Sequence, residues 1–462
     1  MCLGKIEREE FLLIYKFLLI LPASFGACFA ACCLKCFFKL SAVCVSGVAD
    51  KDKQRKNNKK MTECSNLPEA GRENRRIATI DVFRALTMFL MLFVNDIPGL
   101  RDIPHWLRHA EYSEDMLGFS DTIFPAFLFC VGLSVPFAIK RRYEKGDSTT
   151  DVIKHIVGRT VALVAMGLFT LNARDIEGGL SYQWFNILMV VGFFLVWGVY
   201  PKAAGAGKYV FAAMKVAGVL LLAFLVVYCD VHGRPFERGW WGILGLIGFT
   251  YAVCATVYLF TRENFCANAV VWVAVVLLAV GNHSWLIPYE YGSRVIFLPF
   301  MASDWTLHAF GMSGVFAAML LRKYAFAGQC RRFIIILCVL GAVMLALALV
   351  AHGYWIISKI QATPTWLFFC LAVFFPLFGL FYWLVDIKGK GCWFNIIKPA
   401  GTATLTCYML PYLWYSVQQL LGLYFPDRFY AGAPGLLKSA VFSLVIVLLA
   451  GLMSKVRIKL KI

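Results

Sequence analysis

His109 is the residue of this chain best suited to move a proton. Imidazole titrates near neutrality and can take a proton from an incoming hydroxyl or amine and later return it. It sits in a polar loop between an apolar run that starts at Asp81 and Arg84 and ends at Asn95, and a second run that opens with Ser120-Asp121-Thr122-Ile123-Phe124-Pro125. Charge at the centre of a bilayer costs roughly 3 kcal/mol on insertion scales, so Asp81 and Arg84 call for partners or a water-filled cavity. On a helix Asn95 returns to nearly the same face as Arg84, about 16 Å further along, which makes one polar stripe. Ser120 has the character of a helix N-cap and Asp121 falls in the first turn, where free amides can meet an anion or a developing oxyanion. The plain alternatives are a solvated loop histidine, simple capping at Ser120 and Asp121, and an Asp-Arg pair that only docks its helix.

Two further groups could carry chemistry. Asp304 and His308 are four apart at the start of another apolar run, and the Gly311, Ser313 and Gly314 that follow are typical of close helix packing. Thr404 belongs to a hydroxyl-rich helix start after the break at Pro399 and Gly401. It would line a polar cavity, or bond back to its own helix carbonyls. His105 and His109 have a spacing that zinc uses, but no third protein ligand is evident, and no metal is expected. No GxSxG elbow, P-loop or dinucleotide fingerprint is present, so hydrolase, NTPase and nicotinamide chemistry lack support.

The elements that must hold these residues are membrane helices. Of the 462 residues 60% are hydrophobic and 16% charged, and the mean hydropathy is +0.70. That balance predicts an all-α polytopic membrane protein. Apolar runs near the ~20 residues that a bilayer requires fall at about 79–98, 119–140, 152–173, 184–200, 208–228, 239–260, 266–283, 303–321, 332–352, 363–386, 400–422 and 436–455. The net charge of +18 is mainly a topology signal and not a nucleic-acid footprint. Lys140, Arg141 and Arg142, with Arg322 and Lys323, Arg331 and Arg332, Lys388 and Lys390, and Lys455 to Lys461, fall in alternate loops. The sparser Arg101, Arg108, Lys359 and Arg428 fall in the others. The alternation predicts both ends of the domain on the cytoplasmic side and the His109 loop outside. Sixteen cysteines follow no paired spacing, and those in apolar runs read as small buried residues.

Residues 1–76 read as an extension to a membrane domain at 77–462. It comprises an apolar, Cys-rich run interrupted by Pro22, Lys35 and Lys39, then a basic linker. Met61 is an alternative start, which would make the first 60 residues a mistaken upstream segment.

The succession Ile80-Asp81-Val82-Phe83-Arg84, Phe93-Val94-Asn95, His109-Ala110 and Ser120 to Phe129 followed by Gly132 resembles the heparan-α-glucosaminide N-acetyltransferase family and its bacterial relatives. Val385-Asp386-Ile387-Lys388-Gly389, with Pro399 and Gly401 opening the next span, is similar to it as well. The resemblance implies acyl transfer from cytoplasmic acetyl-CoA to a sugar or amino-sugar acceptor on the far side. It implies His109 as catalytic histidine and general base, with Asn95 beside it steadying the oxyanion. Lys140, Arg141 and Arg142 would then meet the phosphates of CoA, the co-substrate, and no permanently bound cofactor is expected. Asp81, Arg84, Ser120, Asp121, Asp304, His308 and Thr404 are further binding candidates. Such chemistry demands a deep vestibule through the ~30 Å core. The expected setting is the bacterial inner membrane, and the expected partners are lipid, acyl-CoA and a glycan, with a homodimer left open. A transporter or flippase with a polar intramembrane cavity is the alternative.

Overall fold

A computed structural model describes residues 78–173, 175–201, 206–231, 236, 241–283 and 305–462. Asp304 and the extension at 1–76 lie outside them. The described chain is all-α, apart from a two-stranded antiparallel ribbon between β1 (Ile176–Gly178) and β2 (Asp230–Val231). In order the helices are α1 (Ala78–Asp96), α2 (Phe119–Glu144), α3 (Thr149–Asn172), α4 (Tyr182–Trp197), α5 (Ala206–Tyr228) and α6 (Gly242–Thr261). They continue with α7 (Phe265–Gly281), α8 (Trp305–Leu320), α9 (Cys330–His352), α10 (Pro364–Tyr382), α11 (Thr404–Leu420) and α12 (Gly432–Lys455). Each matches one predicted apolar run. Eight are long and apolar enough to cross a membrane by themselves, and α4 and α7 are shorter apolar rods. The protein is a polytopic helical membrane protein.

Hydrophobic side chains surround most of these helices, and their placement separates inner from outer ones. On α5 Leu220 is 64% and Val227 87% exposed, the surface a lipid-facing helix presents. In α2, α8 and α10, by contrast, Leu128, Phe129, Phe310, Ala317, Phe375 and Phe378 are fully buried. Phe129 meets Phe83, Phe375 and Phe378 edge-on, joining α1, α2 and α10. Lipid gives no hydrophobic push between helices, so close approach has to come from small residues. A Cβ on Gly132 of α2 would overlap the Gly311 carbonyl of α8, and one on Gly314 would overlap the Phe129 carbonyl. The small residues after His308 are thus a packing seam, as their composition predicts.

Loop contacts sort the two ends of the bundle without reference to charge. At one end Asp115 accepts the Ile357 amide, the Arg101 amide donates to the Tyr430 carbonyl, and β1 pairs with β2. At the other the Val199 amide donates to the Lys459 carbonyl, and Arg322 reaches Glu263. These are the same two loop sets that the alternation of lysine and arginine separates. Two segments singled out in the sequence also meet there: Asp386 accepts the Thr79 amide at 3.1 Å, which caps the free N-terminus of α1. The one-turn helix Lys398–Thr402 lays Gly401 against the Asp81 carbonyl and Ala85.

Replacing Gly314 or Gly132 with valine should destabilise the bundle by roughly 2–3 kcal/mol or more, because backbone and not a flexible side chain would have to yield. A lowered melting midpoint in detergent, read by fluorescence-detected gel filtration, checks this against the neutral control Gly99→Ala. Gly99 has open space around it.

Candidate functional site

The N-terminus of α2 is where the histidine is held. Gly118 is the N-cap, not Ser120, because the helix already begins at Phe119. Ser120 instead donates its hydroxyl to the Leu107 carbonyl and ties the preceding loop to the helix. Asp121 has a side chain only 3% exposed; its Oδ1 lies 2.7 Å from Nδ1 of His109, and its Oδ2 accepts the Ala110 amide at 2.9 Å. A buried carboxylate persists only where donors surround it. Since a carboxylate accepts and does not donate, Nδ1 carries the proton of the neutral ring and Nε2 holds the lone pair. The His109 side chain remains 36% exposed, so that lone pair is reachable.

Backbone chemistry explains why the aspartate and proline of this stretch are four apart. Pro125 has no amide proton, so the Asp121 carbonyl loses its partner within the helix. The indole of Trp366 fills the vacancy, donating from Nε1 at 3.2 Å. Trp366 stands at the start of α10, where Thr363 caps the helix by accepting the Trp366 amide.

A third polar group completes this end. Lys359, in the loop before α10, places Nζ 3.1 Å from His109 Nδ1 and 3.4 Å from Asp121 Oδ1. Burial pushes its ammonium below the usual lysine range, opposed by the Asp121 carboxylate. In the sequence it is an outer-loop cation 250 residues from His109, and no spacing signal joins the two. His105 pairs with Glu114 at 3.0 Å, away from the Asp121 pair.

The opposite end of α1 and α2 holds a cavity of about 570 Å³. Arg84, Lys140, Arg141, Arg159 and Lys461 line it against the acids Asp81 and Glu144, so its charge is predominantly positive. Arg84 lies 3.7 Å from Asp81 and donates to Ser134 at 2.5 Å. Arg159 of α3 stacks over the Tyr251 ring at 4.5 Å, and its buried Nε has no hydrogen-bond partner. The rule that points to Arg84, a charge inside an apolar run, points equally to Arg159 when applied to the third run. Thr404 lines the cavity and bonds back to the Ala400 carbonyl at 2.8 Å, so both readings of it hold. The roof is apolar, made by Met88, Met91, Phe127 and Cys130.

Several expected residues stand elsewhere. Arg142 is not in the cavity wall, because Asp147 in the following turn holds it at 2.7 Å. Asn95 is exposed at the end of α1, and no hydrogen bond joins it to His109. The inward residue there is Asp96, which receives Lys438 at 3.0 Å and the hydroxyls of Ser439 and Tyr415. His308 is buried in α8, with Nδ1 3.3 Å from the Thr250 hydroxyl and Nε2 without a partner. The expected continuous vestibule is not open: the cavity stops at Phe127, six residues or about 9 Å along α2 from Asp121. Buried Ile123, Phe124 and Ala126 fill the turns between.

Fold and site together define a multi-pass membrane protein with a histidine–carboxylate pair at one face and a cationic cavity entering from the other. Parts of the sequence are similar to known proteins. A family profile described as a domain of unknown function, DUF5009, matches residues 76–287. The human heparan-alpha-glucosaminide N-acetyltransferase is 24% identical over 356 residues, 68% of this chain and 49% of that protein. The mouse protein of the same name is 30% identical over 118 residues, 25% of this chain and 17% of that protein. A Na(+)/H(+) antiporter NhaA from Dechloromonas aromatica is 29% identical over 145 residues, 30% of this chain and 33% of that protein. The chain is a distant relative of the heparan-alpha-glucosaminide N-acetyltransferases, and spans half or less of the length of these acetyltransferases.

Trp366→Phe keeps the ring and removes the donor that satisfies the Asp121 carbonyl, so stability should fall by roughly 1–3 kcal/mol. Amides 107–112 should then exchange with deuterium about tenfold faster or more, as read by mass spectrometry.

Proposed function

We propose that this protein is a membrane acyltransferase, which moves an acetyl or other acyl group from acyl-CoA in the cationic cavity to an amino-sugar or sugar acceptor at the His109 face. The observation that carries this reading is the pairing of two half-sites on the same two helices. A base with its lone pair exposed stands at one end of α2, and a phosphate-seeking cavity with an apolar roof stands at the other. The lysine-rich end with the cavity is cytoplasmic by the positive-inside rule, which suits a donor made in the cytoplasm.

In the reaction the acceptor nitrogen or oxygen attacks the thioester carbonyl while His109 Nε2 takes its proton, with Asp121 orienting the ring through Nδ1. The new C–N or C–O bond forms, the oxyanion collapses, and the C–S bond breaks. The imidazolium returns its proton to the departing thiolate. The unpaired side-chain amide of Asn95, at the same end of α1, is the donor we assign to the oxyanion. Arg84 and Arg159 with Lys140, Arg141 and Lys461 neutralise the phosphates, guanidinium being suited to bidentate contact. The turns holding Ile123 and Phe124 part in the transfer complex to let the acyl end cover the last ~9 Å.

The part-length likeness to NhaA favours a carrier as the second reading, since a cation-lined cavity closed at one end also suits alternating access. Purified protein incubated with labelled acetyl-CoA and a panel of amino sugars separates the two. Transfer predicts CoA release that falls about 100-fold or more in His109→Ala. It also predicts that Arg159→Met raises KM for acetyl-CoA about tenfold with a smaller change in kcat. No CoA release across the panel, or release unchanged in His109→Ala, sinks the reading, and ion flux in proteoliposomes would then establish the carrier.

A further inference from the structure

We propose that Lys359 is a positioning residue for His109: by occupying the charge of Asp121 it keeps the imidazole neutral and ready to accept a proton. The proposal builds on the reading of His109 as a base, but its physical content is a charge balance among three side chains. Asp121 supplies one negative charge in a nearly closed setting, its side chain 3% exposed. Two side chains reach the same oxygen, His109 Nδ1 at 2.7 Å and Lys359 Nζ at 3.4 Å, with 3.1 Å between the two nitrogens. Lysine is intrinsically the stronger base, and the Asp121 carboxylate opposes the effect of burial on its ammonium, so the ammonium is the charge that balances the carboxylate. With that balance made, an imidazolium would be a second positive charge beside Nζ, and like charge disfavours it. Without Lys359 the Asp121 carboxylate would face His109 alone and draw it toward the protonated form, which cannot act as a base.

The loop around Lys359 is built to hold it in place. Ser358 is 1% exposed, and its amide donates to the Thr363 hydroxyl at 3.1 Å. On either side the Ile357 amide donates to Asp115 at 2.8 Å, and the Gln361 side chain donates to the Tyr112 carbonyl at 2.8 Å. Both partners belong to the loop that carries His109. Thr306 of α8 donates to the Ala362 carbonyl at 2.8 Å from the other side. Five residues of this loop are therefore fastened, the Lys359 carbonyl accepts the Ala362 amide at 3.1 Å, and the Lys359 side chain reaches into the His109–Asp121 pair.

The other ionisable groups near His109 do not supply the same charge. His105 is held by Glu114 at 3.0 Å and His352 by Asp115 at 2.8 Å. Arg108 and Glu111, which flank His109 in the chain, are exposed and of opposite sign. From α10 the buried Cys370 thiol faces Asp121 and Lys359.

The test compares wild type with Lys359→Met and Lys359→Arg in the full-length protein without substrate. Diethyl pyrocarbonate attacks the neutral imidazole, and cleavage after Arg108 puts His105 and His109 on separate peptides, so mass spectrometry reads His109 alone across pH. Lys359→Met should move the midpoint of His109 reactivity to higher pH by about one unit, while Lys359→Arg, which keeps the charge, should restore it. Where CoA release is measured, the acid limb of its pH profile should move the same way. A midpoint unmoved in Lys359→Met overturns the proposal, and so does one moved equally by both variants, which would mean a structural role alone. Absence of acyl transfer overturns the functional reading and leaves this titration to decide the charge balance by itself.

Discussion

A carboxylate sealed from water must be met by donors, and at Asp121 those donors come from two separate loops of the chain. His109 and the Ala110 amide bring in the loop between α1 and α2, and Lys359 brings in the loop before α10. The carbonyl of the same residue, freed by Pro125, takes the Trp366 indole and fixes the first turn of α10. Loop, helix start and helix pair are thereby set against one another around one side chain. The proposed role of His109 as a general base depends on this kind of fixation, since geometry matters there before acidity does.

The same rule of compensation governs the rest of the bundle, with different results. Asp96 is satisfied fully by Lys438, Ser439 and Tyr415, which locks α1 to α11 and α12 and leaves nothing for a ligand. At the opposite end the compensation is incomplete. Arg84 has Asp81 and Ser134, but Arg159 offers a buried Nε with no partner, and the cations lining the cavity outnumber the acids. An excess of positive charge inside an apolar bundle is costly to leave without counter-charge, which is the electrostatic basis of the proposed phosphate contacts.

Rigidity and opening are distributed accordingly. Gly132, Gly311 and Gly314 let α2 and α8 touch backbone to backbone, which makes α2 a poor candidate for sliding as a rod. The two turns between Asp121 and Phe127 contain Pro125 and lack a regular hydrogen bond, so adjustment is cheapest there. That is also the layer dividing the cavity from the histidine.

Helix content, the twelve apolar rods and the division of loops into two sets were all legible in the sequence, because span length, hydropathy and lysine placement are local properties. So was the need of Asp121, Asp81 and Arg84 for polar partners, since their types conflict with their apolar surroundings, and the structure supplies such partners. Small errors arose where a neighbour decided the outcome: Gly118 caps α2 in place of Ser120, Asp96 turns inward in place of Asn95, and Asp147 removes Arg142 from the cavity. Lys359 could not be joined to His109 from spacing, nor Asp386 to the start of α1, because each contact closes a separation of 250 residues or more. The sequence by itself determined which groups would be expensive to bury. Tertiary structure alone decided which partner would meet each of them, since that depends on how helices distant in the chain cross, and crossing is set by packing that no local pattern encodes.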